Sequence, residues 1–261
     1  MATIAENIQT LRSIKSDIKN AITGKGGSVG NDFKTYAQAI TNLPSGGGGG
    51  TENEDALIMR TISGTYSNDR VSVVGSYCFS GCSALTSIDF PNCIKVYAYA
   101  FNKCKSLQFV NLPLCEYING GVFYYCSSLR SINLQNCTFL DDNAFYHCSG
   151  LISIDLPNCT AMAGGIFNYC SSLTTVKLPI CTSINGGAFA NCTNLTQVYL
   201  NSVSIVTNLN YNNIFSNCPN LTSIYVPASL VDAFKAAENW TSISDKIVAY
   251  TGAQVGTEDM L

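Results

Sequence analysis

Long apolar runs are missing from this chain of 261 residues, so no stretch reads as a membrane-spanning helix. Charge is scarce as well. Asp, Glu, Lys and Arg make up 12% of the residues, with a net charge of −3, against about 25% in a typical soluble protein. Between residues 71 and 226 the basic side chains are Lys95, Lys103, Lys105, Arg130 and Lys177, and the acidic ones are Asp89, Glu116, Asp141, Asp142 and Asp155. They are scattered, which excludes the basic footprint of a nucleic-acid-binding protein. His147 is the only histidine. A His-based catalytic pair therefore has little to draw on, and no C-x-x-C pair supplies the cysteine half of a zinc site. The opening residues, MATIAENIQTLRSIKSDIKNAIT, lack the continuous apolar segment of a secretory leader, which predicts synthesis and folding in a cytoplasm.

What is present is one phrase, repeated. Phe79, Phe101, Phe123, Phe145, Phe167 and Phe189 open copies that are 22 residues apart, and Phe215 follows after 26. The unit reads F-x-x-C-x-x-L-x-x-I/V-x-L-P-x-C-x-x-I/V/L/M. One column holds Leu85, Leu107, Leu129, Leu151, Leu173, Leu195 and Leu221; another runs from Ile88 and Val110 to Ile224. A fixed period in the low twenties marks a solenoid. The alternation at the end of L-x-x-I-x-L suits a short half-buried strand. Stacked copies then form a parallel sheet, and each coil buries its apolar face only against its neighbours.

These motifs resemble the BspA type of bacterial leucine-rich repeat, over roughly residues 55–250. The resemblance implies a curved, β-rich solenoid and a role in adhesion, on bacterial surfaces and in some phage proteins, rather than an enzyme. Residues 55–78 read as an amino-terminal cap, 79–227 as the repeats, 228–250 as a carboxy-terminal cap and 251–261 as a frayed tail. Val71 and Val74 occupy the columns of Cys93 and Val96, so a half-repeat precedes Phe79. NSVSIVTNLNYNNIF inserts four residues before Phe215. In the far cap, Ser229 is placed to start a helix through Leu230, Phe234 and Ala237, with Trp240 near its end, and residues 245–250 read as one more strand.

Thirteen cysteines invite a disulfide or metal reading. From Cys82 to Cys192, however, they recur every 11 residues, and only Cys78 and Cys218 lie outside that register. Each occupies a repeat column where a small buried hydrophobe belongs. The odd total and the absent leader point the same way, to reduced core thiols.

Ahead of the repeats, residues 1–23 read as a helix with Ile4, Ile8, Leu11, Ile18 and Ile22 on one stripe and Lys15 interrupting it. It is either an amphipathic helix packed on its neighbour or a short coiled coil that makes a homo-oligomer. Gly24, Gly26, Gly27 and Gly30 break the chain, and a second helix carries Phe33, Tyr36, Ala37, Ile40 and Leu43. Residues 45–54 form a Gly-rich linker. The segment 1–44 is similar to short amino-terminal segments of phage tail-fibre and tail-associated proteins. That resemblance implies attachment to tail proteins or oligomerisation, and a place in the virion after cytoplasmic synthesis; the alternative location is a bacterial cell surface.

No catalytic residue, cofactor or metal site emerges. His147 adjoins Cys148, but sequence neighbours make no catalytic pair, and its column varies freely through Gly81, Lys103, Tyr125, Tyr169 and Asn191, as if the position had no fixed structural role. Asp141-Asp142 reads as a solvated turn. Gly120-Gly121, Gly164-Gly165 and Gly186-Gly187 share a column and supply positive φ before the Phe. Binding fits better. Column-mates about 5 Å apart build aromatic ladders: Tyr125, His147 and Tyr169; Tyr124 and Tyr146; Tyr117 and Phe139. Phe109 joins them on the strand face, among neutral hydrogen-bonders that run from Ser87 and Asp89 to Tyr199 and Tyr225. The expected partner is a bacterial surface glycan or protein, with no nucleic acid and no membrane insertion. A rigid spacer or virion decoration is the alternative. The N-C-T sequons belong to the repeat phrase and carry no glycan meaning.

Overall fold

The computed structural model describes residues 62–200 and 213–250. The helical segment 1–44, the linker 45–54, the start of the amino-terminal cap, most of the insertion before Phe215 and the tail lie outside the described residues.

Each of the six coils between Gly64 and Ile184 contributes one strand to a first face and a two-residue strand to a second. On the first, the strands Gly64–Ser67, Leu85–Asp89, Phe109–Asn111 and Ser131–Asn133 pair in parallel, with Tyr66, Ile88, Val110 and Ile132 in register. Ser153–Asp155, Thr175–Leu178, Gln197–Leu200, Ser223–Val226 and Ile247–Ala249 form a second parallel block, with Ile154, Val176, Val198, Ile224 and Ile247 in register. The other face runs without interruption from Val73–Val74 to Ser183–Ile184 and bridges the break between those blocks. Register is fixed because a one-residue slip would turn every buried Ile or Val outward.

Between the faces the repeat columns are dry. Phe101, Phe123, Phe145, Phe167 and Phe189, and Leu85 through Leu195 of the leucine column, are all 0% exposed. The phenylalanines from Phe79 to Phe215 stack with centroids 5.0 to 5.5 Å apart and planes within 16° of parallel. Large rings repeating at the strand spacing thus form one continuous column.

All 13 cysteines are thiols and all but Cys78 are buried. They do more than fill space. In the F-x-x-C column, Cys104, Cys126, Cys148, Cys170, Cys192 and Cys218 donate S–H to the carbonyl of the Phe that opens the previous coil, at 3.0 to 3.2 Å. In the P-x-C column, Cys93, Cys115, Cys137, Cys159 and Cys181 donate to the carbonyl two residues on, at 3.3 to 3.4 Å. A thiol is apolar enough for a dry core and still satisfies a buried carbonyl.

The caps follow expectation in part. The sequence ALIMRTISGTY reads as a capping strand, and Gly64–Ser67 pairs with Leu85–Asp89 while Val74 pairs with Val96, so the first coil carries both strands rather than half a repeat; at the far end the strand expected over 245–250 forms as Ile247–Ala249. Tyr66 takes the Ile88 column, and its ring covers Phe79 and Phe90 at 5.8 and 5.6 Å. At the far end the helix is short, Val231–Ala236. A 3-10 turn at Ala228–Leu230 leads into it, Leu230 is its N-cap, and Ser229 provides no cap. Trp240 lies beyond it, in the 3-10 segment Glu238–Lys246. Its ring is 6.2 Å from Phe215 and 5.0 Å from Phe234, so Trp240 and Phe234 continue the phenylalanine column and close it.

Candidate functional site

The F-x-x-C turns form the remaining side of each coil. Their backbone alternates in handedness. Gly81, Lys103, Tyr125, His147, Tyr169, Asn191 and Asn217 all have φ between 56° and 76°. Alternate N–H groups then reach the next coil: Tyr125 N donates to Tyr146 O at 2.8 Å, His147 N to Asn168 O at 2.8 Å and Tyr169 N to Ala190 O at 3.0 Å. The variable column therefore has a strict structural role, contrary to the sequence reading: it must be left-handed in every coil. Glycine or asparagine meets that demand cheaply. A bulky residue there costs roughly 1–2 kcal/mol. A second left-handed column holds Tyr77, Tyr99, Gly121, Asn143, Gly165 and Gly187, and only the second glycine of each expected pair takes this conformation.

On this backbone the predicted ladders form. Tyr125 stacks on His147 at 4.6 Å and His147 on Tyr169 at 5.3 Å, both within 13° of parallel. Tyr124 stacks on Tyr146 at 4.7 Å. The two ladders merge edge to face, through Tyr124–Tyr125 at 4.8 Å and Tyr146–Tyr169 at 5.6 Å. Burial and then the neighbouring phenols push the Tyr124 and Tyr146 hydroxyls above the ordinary tyrosine range, so they stay protonated as neutral donors.

Sequence reasoning missed two members, Tyr77 and Tyr99. They stack on each other at 5.2 Å, and Tyr99 meets Tyr124 edge-on at 6.3 Å. Tyr99 lies over Gly121, where an added Cβ would come within 2.3 Å of the Tyr99 ring. The signal was available: two tyrosines stand in a column otherwise filled by Gly and Asn. The resulting band crosses successive coils, from Tyr77 at 50% exposure to Tyr169 at 42%.

The remaining predicted residues lie elsewhere. Tyr117 and Phe139 stack at 5.1 Å, but on the second strand face, in register with Lys95 and Ala161. No ring contact joins them to the turn-face band among the described residues. Burial, then the Asp141 and Asp142 carboxylates, raise the Tyr117 phenol. Phe109 projects alone from the first face, 52% exposed. That face is also less open to ligands than expected, because its polar groups bond one another along the axis. Ser67 Oγ and Asn111 Nδ2 donate to Asp89 at 3.0 and 2.8 Å, and Asn133 Nδ2 to Asn111 Oδ1 at 2.9 Å. Further along the same column, Tyr199 and Tyr225 stack at 4.6 Å, nearly buried, and line a shallow cleft with Lys177, Pro179 and Tyr250.

Catalytic geometry is not assembled at the two places considered. The Cys148 thiol donates inward to Phe123 O rather than to His147, whose ring lies between Tyr125 and Tyr169. Asp142 Oδ1 accepts Gly164 N–H at 2.7 Å and Asp141 Oδ1 accepts Asp142 N–H at 2.8 Å, which makes the acidic pair a turn brace. Among the described residues no group of three His, Cys, Asp or Glu is placed to hold a metal, and no helix is long and apolar enough to cross a membrane.

The BspA type leucine rich repeat region matches residues 60–174 and 160–245, in six copies. The chain belongs to that family. Among solved structures, the leucine-rich repeat protein of T. pallidum is similar at TM-score 0.53 and 20% identity, over 67% of this chain and 83% of that one. A leucine-rich repeat protein from Bacteroides ovatus gives 0.41 and 21%, over 70% and 58%. A leucine rich cell surface protein from Faecalibacterium prausnitzii gives 0.38 and 16%, over 74% and 80%. The first shares the fold. No curated protein matches the chain. The leucine-rich-repeat scaffold of this family is consistent with a binding or adhesion role.

Proposed function

We propose that this BspA-type repeat protein is a non-enzymatic recognition protein whose turn-face aromatic band contacts a bacterial surface glycan or protein. One observation carries the reading. Tyr77, Tyr99, Tyr125, His147 and Tyr169 all stand at left-handed positions, where glycine or asparagine folds at lower cost. Local strain of this kind gathers where function demands a side chain. The band is also weakly charged and rich in tyrosine, the composition of binding hot spots.

The helix-like apolar spacing and the glycine-rich break in the sequence of residues 1–44 support the further reading that this segment attaches the head to a phage tail. In that arrangement the repeats are the receptor-binding end of a tail-associated protein. A spacer reading draws on the unbroken phenylalanine column, which suits a stiff rod.

Whole-cell binding separates these readings. The double substitution Tyr125→Asn with Tyr169→Asn, which suits the left-handed backbone, is expected to reduce binding at least about tenfold, equivalent to about 1.4 kcal/mol, while the melting temperature moves by only a few degrees. Undiminished binding would remove the band from the account and place recognition elsewhere; no cell binding by the unaltered protein would leave the spacer.

A further inference from the structure

A stack of parallel rings hides most of its faces. Inside the two merged ladders each ring lies against the next at 4.6 to 5.3 Å. What such a surface presents is a row of ring edges tipped by phenol hydroxyls, one rung per coil. An open ring face remains only where a ladder ends, as at Tyr169, which Asn191 follows in the column. Stacking a lone sugar flat on the band therefore finds little platform in its interior. The coils repeat at the spacing of neighbouring strands, about 4.8 Å; along the row Tyr99, Tyr124, Tyr146 and Tyr169, which steps sideways between columns, the ring centroids lie 6.3, 4.7 and 5.6 Å apart.

We infer that the ligand is a neutral, unbranched polysaccharide lying parallel to the solenoid axis, with one sugar ring per coil across Tyr99, Tyr124, Tyr146 and Tyr169. This rests on the turn face being the recognition surface.

Three features favour this partner over a peptide. The first is pitch. A chain of β-1,4-linked hexopyranoses advances by close to one rung per sugar. An extended peptide advances about 3.3 Å per residue, or about 6.6 Å for each side chain on one face, and drifts out of step within two rungs. The second is hydrogen bonding. A peptide helix advances about 5.4 Å per turn, nearer the rung, but its outer face offers side chains, not a regular row of donors and acceptors. The phenol row would then be buried partly unmatched, which is costly. A sugar chain carries hydroxyls at every ring, each able to donate and accept. The third is charge. After burial, tyrosines, not carboxylates, raise the Tyr124 and Tyr146 phenols, and Lys103, one coil before Tyr125 in its column, is a single cation at the end of that ladder. One cation offers little to a chain charged at every unit and leaves a neutral one undisturbed.

The test uses the full chain and β-1,4-linked oligomers of N-acetylglucosamine and of glucose, from one to six units, with binding followed by calorimetry. For at least one series, affinity is expected to rise about tenfold from dimer to tetramer, equivalent to about 1.4 kcal/mol, and then level off. Tyr169→Ala or Tyr99→Ala should move the plateau from four units to three, a shift that loss of structural support alone would not produce. Affinity independent of length, or no binding of either series, overturns the inference. If cells are still bound and the Tyr125/Tyr169 double substitution still abolishes that binding, the recognition surface stands and its partner is a protein. If the double substitution leaves cell binding intact, the turn face is not the recognition surface and the reading on which this inference rests falls.

Discussion

Inner and outer aromatic columns run along this solenoid only one or two residues apart in sequence, and they behave oppositely. Within the single turn Phe145-Tyr146-His147-Cys148, the Phe ring enters a stack that is 0% exposed, while the Tyr and His rings enter stacks open to solvent. Centroid spacings are alike, 5.2 Å at Phe145 and 4.6 to 5.3 Å at Tyr146 and His147, because both are imposed by the coil rise. The difference lies in what each column does for the fold. Removing the inner rings would leave a void; removing the outer ones would leave only solvent, and a Gly or Asn at the left-handed His147 column would also relieve backbone strain. Stacking alone therefore does not mark a core, and it does not mark a site either. Burial and backbone handedness decide.

The largest effect should come from the inner side, through its thiols. Burial pushes Cys93 and Cys218 up to about 11; burial, and for Cys115 then the neighbouring Cys93 as well, takes Cys115 and Cys137 up to about 12. An unfolded thiol titrates near 8.5. The folded protein thus holds protons that the unfolded chain releases. The stability this provides is fully present below about pH 8.5 and falls as pH rises through the folded values, by about 1.4 kcal/mol per thiol per pH unit. With several thiols acting together, the fold should fail between about pH 9 and 11. Thiolate absorbance and Trp240 fluorescence should change together. More than one thiolate per chain, beyond what the half-buried Cys78 can supply, appearing near pH 8.5 in a still-folded protein would contradict this picture of the core.

Next in size is Phe145→Ala. It breaks the stack between Phe123 and Phe167 and opens a cavity, so unfolding should cost about 3–5 kcal/mol less. Denaturant titration reads this directly. A loss below about 1 kcal/mol would mean that the coils close over the gap and that the column is not a rigid core.

The repeat made most of this fold legible. Phe, Leu and Cys recur at fixed intervals, and identical coils in register leave each column only one environment. The outer ladders were legible for the same reason, since column-mates at Tyr125, His147 and Tyr169 have to be neighbours. What stayed hidden was non-periodic or conformational. Variation at the His147 column hid a strict demand on φ, because Gly, Lys, Tyr, His and Asn share no side-chain chemistry. The caps were legible as places but not in how they continue the columns, because each substitutes a different residue for a column member: Tyr66 for Ile, and Trp240 for Phe. The thiol hydrogen bonds escaped because a buried Cys reads in sequence as a small hydrophobe. Tyr117 and Phe139 were placed in the right pair but grouped with the wrong face, since a one-dimensional period does not say where around the coil a column sits.

The smallest effect is the most informative. His147→Asn removes a ring that stacks on both Tyr125 and Tyr169, a loss of about 0.5–1.5 kcal/mol per pair. It also places at φ 60° a residue that tolerates the left-handed region better than most, which recovers part of the roughly 1–2 kcal/mol of strain. These terms nearly offset, and the melting temperature should move by only a few degrees. Asn191 and Asn217 already stand at this column with φ of 61° and 56°, so the backbone needs no adjustment. Binding, by contrast, should fall, because the substitution cuts the ladder between Tyr125 and Tyr169. A stability loss comparable to that of Phe145→Ala would show that the outer rings carry the fold as the inner ones do, and the distinction between the two columns would collapse.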